Sequence, residues 1–204
     1  MTPDIDAWAA WHPRAVADRL AVLDVPWYVA GGWAIDLHVG GTLRDHEDLE
    51  IAVPAAEFPA IAGRFPELAF YVAGRGAVVP ATPDALARYH QTWAYDPAAE
   101  AWRFDVFREP HDGDVWISRR DARLRRPYAE IVRRSPDGIP YLAPDVVLFF
   151  KAKHRRPKDE NDFAAVAPVL TVAERAWLTH ALDLVHPGHP WREPVNRRSP
   201  GSSR

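Results

Sequence analysis

Residues 31–53 read GGWAIDLHVGGTLRDHEDLEIAV, and this stretch carries most of the chemical information in the 204-residue chain. We predict that the glycine pair Gly31-Gly32 forms a tight turn. Residues 33–39 suit one or two helical turns that end at Gly40-Gly41. Residues 49–53 have the alternating pattern of a half-buried β-strand. The segment is therefore predicted to fold as a turn, a short helix and a strand.

Two carboxylates lie at the start of the predicted strand. Strand geometry places Asp48 and Glu50 on one face, opposite the apolar residues 49, 51 and 53. Like charges about 7 Å apart along a strand are unfavourable unless a cation lies between them. Mg²⁺ prefers oxygen ligands and accepts one or two carboxylates together with substrate phosphates. The backbone of a glycine pair can approach a phosphate closely. The sequence therefore predicts a triphosphate held between the glycines and a metal, with a solvated strand face as the alternative.

Composition excludes several classes of protein. The chain is 48% hydrophobic, and 25 basic residues against 28 acidic ones give a net charge of −3. This balance argues against a nucleic-acid partner, which requires a basic face. The absence of cysteine excludes disulfides, iron–sulfur clusters and cysteine zinc sites. The sequence has neither a signal-peptide pattern nor an apolar run long enough to span a membrane, so we expect a cytoplasmic protein without a membrane partner.

The rest of the chain predicts an α/β (α+β) fold that becomes helical towards its end. Periodicity predicts strands at 27–30, 68–73, 90–95, 102–108, 115–119, 131–134 and 139–142. It predicts helices at 6–23, 54–65, 145–153, 158–169 and 174–185, the last headed by a capping box, Thr171-x-x-Glu174. We expect an α/β core over residues 1–143, a C-terminal helical part of the same domain over 144–186, and a flexible tail over 187–204.

The glycine pair, the short helix and the Asp-x-Glu strand together resemble the nucleotidyltransferase superfamily related to DNA polymerase β. Within it, the aminoglycoside and lincosamide branch is the more similar. The shared residues are Trp33-Ala34-Ile35-Asp36, Gly40, Arg44-x-His46-x-Asp48-x-Glu50, Pro144-Asp145, Lys151-x-Lys153, Arg156-Pro157-Lys158-Asp159 and Asp162-Phe163. The resemblance implies a mixed-sheet core with helices packed on it. This sequence has Glu50 where the branch more often has aspartate.

The resemblance also implies an activity. It implies Mg²⁺-dependent transfer of a nucleotidyl group, AMP above all, from ATP or another nucleoside triphosphate to a hydroxyl of a small molecule such as an aminoglycoside. The metal ligands would be Asp48, Glu50 and a third carboxylate from a later strand. Asp105 is the best candidate for the third ligand, because it has apolar neighbours in the next clear strand. Asp96 and Asp114 are weaker alternatives.

Further residues take roles from the same resemblance. Gly31, Gly32, Lys151 and Lys158 would contact the triphosphate, and Lys151 could instead be a surface lysine. Arg44 and His46 would orient the carboxylates, contact phosphate, or make purely structural hydrogen bonds. Asp145 would act as a general base towards the acceptor or, as we prefer, as a helix-start residue.

Some questions stay open at the level of sequence. The basic run Arg119–Arg126 could attract the triphosphate, although a solvated face is preferred. Two other functions are compatible with the sequence: a nucleotide-binding pseudoenzyme or regulatory module, and a toxin-like nucleotidyltransferase acting on protein or tRNA. The acceptor, the preferred base and the oligomeric state are not specified by the sequence.

Overall fold

The computed structural model describes residues 3–196, which form a mixed α/β fold. The strands are β1 (Tyr28–Val29), β2 (Glu50–Pro54), β3 (Ala69–Gly74), β4 (Ala77–Pro80), β5 (Gln91–Asp96), β6 (Ala101–Glu109), β7 (His111–Asp112), β8 (Val115–Ile117), β9 (Arg125–Pro127), β10 (Val132–Arg134) and β11 (Pro140–Leu142). The helices are α1 (Pro13–Leu20), α2 (Gly31–Val39), α3 (Phe58–Ala62), α4 (Pro83–Arg88), α5 (Tyr128–Ile131), α6 (Pro144–Lys151), α7 (Pro157–Val166), α8 (Val172–Val185) and α9 (Arg192–Asn196).

The main sheet has the strand order β10-β11-β1-β2-β6-β5-β3-β4. Its two parallel pairs are β1 with β11 and β2 with β6, and the remaining pairs are antiparallel. A smaller sheet has the order β7-β8-β9. The mixed sheet with helices packed on it confirms the predicted fold class. Apolar residues from the sheet, from α1 and from the C-terminal helices form one hydrophobic cluster.

The glycine pair is the first turn of helix α2, so the predicted tight turn is wrong. Ala30 is extended and its N–H donates to the carbonyl of Glu50 over 2.8 Å, which keeps the chain in the sheet up to that residue. Gly31 then adopts φ +59°, a left-handed conformation that glycine adopts without strain, and the helix begins there. The predicted helix end is confirmed, because Gly40 is left-handed and its N–H donates to the carbonyl of Asp36.

The N-terminal helix is shorter than predicted. Pro13 and the His12 cap, whose ring accepts a hydrogen bond from the Arg14 N–H, start helix α1 at Pro13 rather than near residue 6. Upstream of His12 the backbone lies along β6 instead. Trp102 N–H donates to Ala7 O over 2.8 Å, and Ala9 N–H donates to Trp102 O over 3.0 Å. These hydrogen bonds to the sheet outweigh the helical periodicity of the segment.

The packed C-terminal part extends further than predicted. The capping box of Thr171 and Glu174 is present at the start of α8, as expected. Trp191 is 2% exposed, stacks on Phe163 with ring centroids 4.4 Å apart and donates to Glu160 over 2.9 Å. The predicted boundary at residue 186 is therefore corrected to residue 196, while residues 197–204 of the predicted tail lie outside the described part. No helix within residues 3–196 is long and apolar enough to cross a membrane.

Candidate active site

Two of the predicted carboxylates lie side by side on neighbouring strands. Glu50 on β2 and Asp105 on β6 are direct partners in the parallel register, and Asp105 N–H donates to Leu49 O over 2.8 Å. The side chains of residues 49, 51 and 53 are fully buried on the opposite face, as the alternation predicted. Asp48, which is exposed, lines the same cavity as Glu50 and Asp105. The fold thus brings the three predicted metal ligands to one place.

The electrostatics of this cluster favour a cation. Asp105 is 3% exposed; its Oδ2 accepts a hydrogen bond from Gln91, and its Oδ1 has no partner among the described residues. Burial, followed by the charge of Glu50, raises the pKa of Asp105 well above its usual value. Burial and the charge of Asp48 also raise the pKa of Glu50, against the opposing effect of Lys151. A bound cation would relieve the repulsion that these raised pKa values reflect.

The glycine pair is required by close contacts. A Cβ on Gly31 would lie 1.6 Å from Oε2 of Glu50, and one on Gly32 would lie 2.2 Å from Nη2 of Arg44 and 2.6 Å from Cε1 of His46. The start of α2 therefore packs directly against the carboxylate strand and the segment that precedes it. This contact, rather than a turn, accounts for glycine at both positions, and their contact with a triphosphate stays a prediction.

Arg44 and His46 make structural contacts. His46 Nε2 lies 2.7 Å from Oδ2 of the buried Asp36, and its ring stacks on Trp33 at 4.5 Å. Arg44 Nη2 lies 3.8 Å from Oδ2 of Asp162. Neither side chain lines a cavity beside the carboxylates. Of the roles left open by the sequence, the geometry supports the structural one.

A cavity of 520 Å³, called here the basic cavity, opens between the start of α2, the sheet and helix α6. Glu50 and Gly31 lie at one end of it. Apolar side chains on β6 and α6, among them Phe107 and Phe150, form part of its wall. Its positively charged lining residues are Arg119, Arg120, Lys151, Lys153 and Arg156. The cavity combines cations with apolar surface, as a nucleoside triphosphate requires.

Arg119 and Arg120 line the basic cavity, although a solvated face was the preferred prediction for them. Arg119 pairs with the buried Glu109, and its guanidinium lies 4.6 Å from the ring centroids of both Phe107 and Phe150. Arg120 donates to Phe150 O over 2.6 Å, and burial lowers its pKa to about 10. The preference for a solvated face is wrong for these two arginines. Their partners come from β6 and α6, so no local sequence signal reveals the contact.

The two candidate phosphate-binding lysines lie in different environments, and only one of them lines the basic cavity. Lys151, at the end of α6, lines the basic cavity and is held by Asp162 at 2.7 Å and Asp159 at 3.3 Å. It is 9% exposed, so the alternative of a surface lysine is wrong. Lys158, in the first turn of α7, does not line the cavity. Lys153 and Arg156, which belong to the resemblance but were assigned no role, also line the cavity.

The remaining candidate carboxylates lie away from the cluster. Asp145 is fully buried in the first turn of α6, and Arg126 donates to its Oδ2 over 2.6 Å. It lines neither cavity beside the carboxylates, which supports the preferred helix-start role. Asp96 accepts hydrogen bonds from Arg103 on the neighbouring strand. Asp114 is an exposed residue between β7 and β8. Asp105 is therefore the third carboxylate of the cluster.

A second cavity, of 530 Å³ and called here the acidic cavity, also adjoins the carboxylates. It is lined by Asp6, Trp8, Glu47, Asp48, Glu50, Gln91, Trp93 and Asp105. Glu50 and Gln91 line both cavities, so the carboxylate cluster lies where the two meet. A third cavity, of 600 Å³ between α1 and the β10–β11 hairpin, is lined by none of the predicted site residues. The candidate site is thus the carboxylate cluster together with the two cavities that meet at Glu50 and Gln91.

Comparison with known proteins agrees with this arrangement. Residues 14–77, which include α2 and β2, match the aminoglycoside-2''-adenylyltransferase family. The lincomycin-bound lincosamide antibiotic adenylyltransferase LnuA superposes with a TM-score of 0.54 at 14% identity, over 77% of this chain and 95% of that chain. The chain has a nucleotidyltransferase fold.

Two structures of the antibiotic-resistance factor ANT(2'')-Ia share that fold. The solution structure gives a TM-score of 0.52 at 12% identity, covering 84% of this chain and 88% of that chain. The crystal structure in complex with adenylyl-2''-tobramycin gives a TM-score of 0.50 at 13% identity, covering 84% of this chain and 94% of that chain. Curated protein sequences gave no significant match. The resemblance predicted from the sequence is confirmed: residues 14–77 match the aminoglycoside-2''-adenylyltransferase family, and the fold is similar to that of enzymes of the aminoglycoside and lincosamide branch.

Proposed function

We propose that this nucleotidyltransferase moves AMP from ATP to a hydroxyl of a small molecule, with Mg²⁺ as cofactor. The observation that carries the proposal is the pairing of Glu50 with Asp105 on adjacent strands, directly beside the start of helix α2. At that point Gly31 leaves no room for a Cβ, and Asp105 keeps an unpartnered, buried carboxylate oxygen. A triphosphate and a divalent cation are the ligands that suit these features.

The basic cavity is the proposed site of the donor. Lys151, Arg119 and Arg156 each lower the pKa of Glu50 by their charge, so all three act electrostatically on the end of the cavity where the carboxylates lie. These cations would bind the triphosphate and neutralise the charge that develops on the leaving pyrophosphate. The first N–H groups of α2 would add a favourable helix dipole at the same end.

The three carboxylates fit a hard divalent cation by their chemistry. As the side chains stand, no three His, Asp or Glu residues within residues 3–196 are close enough to hold a metal ion. Mg²⁺ does not need a complete protein cage, because it is commonly bound by one or two carboxylates together with substrate phosphates. Asp48, Glu50 and Asp105 would hold it, and when bound it would polarise the α-phosphate and lower the pKa of the attacking hydroxyl. The chain's own part is to hold these carboxylates beside the proposed donor site, and the bound cation would favour their deprotonated forms.

The family match and the two antibiotic-modifying enzymes that share the fold support an antibiotic-type acceptor. LnuA is bound to lincomycin, and ANT(2'')-Ia to an adenylylated tobramycin. We therefore propose a polyhydroxylated small molecule, an aminoglycoside first, as the acceptor. This choice also fits the net negative charge of the chain, which favours a cationic substrate over a nucleic acid.

The test is a transfer assay with labelled ATP, Mg²⁺ and a panel of aminoglycosides and lincosamides. The expected result is pyrophosphate and an adenylylated product for at least one acceptor. Asp48→Asn should lower kcat by at least about 100-fold and leave the melting temperature unchanged, since Asp48 is exposed. Asp45→Asn, an equal change at an exposed residue that lines neither cavity, is the matched control. Full activity of Asp48→Asn would show that the site assignment is wrong.

A further inference from the structure

We propose that the acidic cavity is the acceptor subsite, and that the N-terminal segment, residues 4–11, builds it for a cationic, ring-shaped polyol. The segment contributes Asp6 and Trp8, and the facing strand β5 contributes Trp93. The proposal rests on the proposed function for the identity of the reaction. The binding it assigns can be measured without any turnover.

The charges of the two cavities assign one substrate to each. The basic cavity holds the five lysine and arginine side chains described above. The described residues lining the acidic cavity include no lysine or arginine but five carboxylates, of which Asp6 and Glu47 are not among the proposed metal ligands. A triphosphate is repelled by such a lining, and a polyamine is attracted to it. The anionic donor and a cationic acceptor would thus reach the shared residue Glu50 from different cavities.

Aromatic walls distinguish this cavity from a simple acidic cluster. The rings of Trp8 and Trp93 meet edge to face with centroids 5.2 Å apart. Indole faces bind ammonium groups and the apolar faces of sugar rings, and tryptophan is the strongest of the aromatic residues in this respect. A cavity with two indoles and two additional carboxylates fits an aminated sugar better than a bare metal ion or a nucleotide.

Two buried polar atoms point to a missing ligand. Within the described part of the chain, Nε1 of Trp93 and Oδ1 of Asp105 are buried without a hydrogen-bond partner, and both residues line the acidic cavity. Buried polar groups are satisfied in the great majority of cases. A hydroxylated ligand in this cavity could accept from the indole N–H while one of its hydroxyls lies next to the carboxylates.

The N-terminal segment is held firmly enough to form a binding wall. Besides its two backbone hydrogen bonds with Trp102, it accepts a bond from the Trp102 indole at Asp4 O over 2.7 Å. Trp8 also packs at 6.3 Å from the Trp102 ring. The segment lies before residues 14–77, the part matched to the adenylyltransferase family. Asp6, Trp8 and Trp93 of the subsite therefore lie outside the matched region, whereas Glu47 lies inside it.

The experiment is a calorimetric titration of the full chain with tobramycin, without ATP, alongside the uncharged disaccharide trehalose. Wild-type protein should bind tobramycin, with an affinity that falls as salt is added, and should bind trehalose much more weakly. Asp6→Asn and Trp8→Leu should each raise the Kd for tobramycin about tenfold. The matched control is Asp84→Asn, an exposed carboxylate on α4 outside both cavities, and it should leave the Kd unchanged.

A second titration, with a non-hydrolysable ATP analogue and Mg²⁺, checks folding and separates the two cavities. Both subsite variants should bind the analogue as the wild type does. If Trp8→Leu fails to fold, Asp6→Asn alone decides, because Asp6 is exposed. Tobramycin binding that neither variant weakens, or no tobramycin binding by the wild type, would overturn the subsite. Weakened binding together with a wild type that transfers no AMP would leave the subsite standing and refute the proposed function instead.

Discussion

Gly31 combines two constraints at a single residue. Its φ of +59° disfavours any side chain, and the space where a Cβ would lie is occupied by the Glu50 carboxylate. A methyl group there would strain the backbone and displace Glu50 at the same time. The displacement matters for function, because Glu50 lies where the two cavities meet.

Gly31→Ala should therefore reduce both stability and turnover. We expect a loss of about 1–3 kcal/mol in the free energy of unfolding and a loss of at least about 100-fold in kcat. Urea denaturation and the transfer assay measure the two effects. Gly41→Ala is the control, since a Cβ there meets no atom within 4 Å. Wild-type turnover in Gly31→Ala would contradict the close packing described for this position.

The buried carboxyl group of Asp105 lowers the stability of the folded protein at neutral pH. Its pKa in the folded state is raised, so the folded protein binds more protons than the unfolded chain between the ordinary and the raised pKa. The free energy of unfolding consequently falls as the pH rises through this window. Below the ordinary pKa of about 3.9 the carboxyl is protonated in both states, and the loss of stability is absent.

Asp105→Asn should accordingly stabilise the protein without ligand at pH 7. We expect a gain in the free energy of unfolding that shrinks as the pH is lowered towards 4, because the wild-type carboxyl is then protonated as well. Thermal melts at a series of pH values measure the gain. The same variant should lose transferase activity. A variant that is less stable than the wild type at pH 7 but equally stable at pH 4 would contradict the sign of this effect.

At the scale of secondary-structure elements, the strand carrying Glu50 could be predicted, because alternation is local. It begins at Glu50, so Asp48 lies in the segment before it rather than on the strand face predicted for it. The helix at 31–39 could be placed only in part, since the sequence does not show that Ala30 bonds to β2 and that the helix starts at Gly31. Asp105 was recognisable from its strand neighbours. Arg119 and Trp93 were not recognised as site residues, because they reach the site only through the register of β5, β6 and the loops that follow.

Helices α6 and α7 provide the sharpest test at this scale, because each carries a lysine that was predicted to contact the triphosphate. Lys151→Met should raise the KM for ATP about tenfold, and should destabilise the fold by about 3 kcal/mol because the buried Asp159 and Asp162 lose their shared partner. Lys158→Met should change neither quantity, because Lys158 does not line the basic cavity. Steady-state kinetics and chemical denaturation measure both. Equal effects of the two variants on the KM would contradict the placement of the donor.

At the scale of the whole molecule, two cavities meet at Glu50 and Gln91. The sheet supplies Glu50 and Asp105 from neighbouring parallel strands. The segments after β8 and around the end of α6 supply the cations of the basic cavity, and the N-terminal segment supplies Asp6 and Trp8 to the acidic cavity. The overall class of fold could be predicted from the sequence. The meeting of the two cavities could not, because it depends on contacts between distant segments, such as the hydrogen bond between Asp4 and Trp102, which lie 98 positions apart in the chain.

The most direct test of the proposed metal and donor sites is a crystal structure with Mn²⁺ in place of Mg²⁺ and a non-hydrolysable ATP analogue. The metal is located by anomalous scattering. We predict a metal peak within coordination distance of Asp48, Glu50 and Asp105, and a triphosphate in the basic cavity that reaches Lys151. A metal bound elsewhere, or a triphosphate in the acidic cavity, would contradict it.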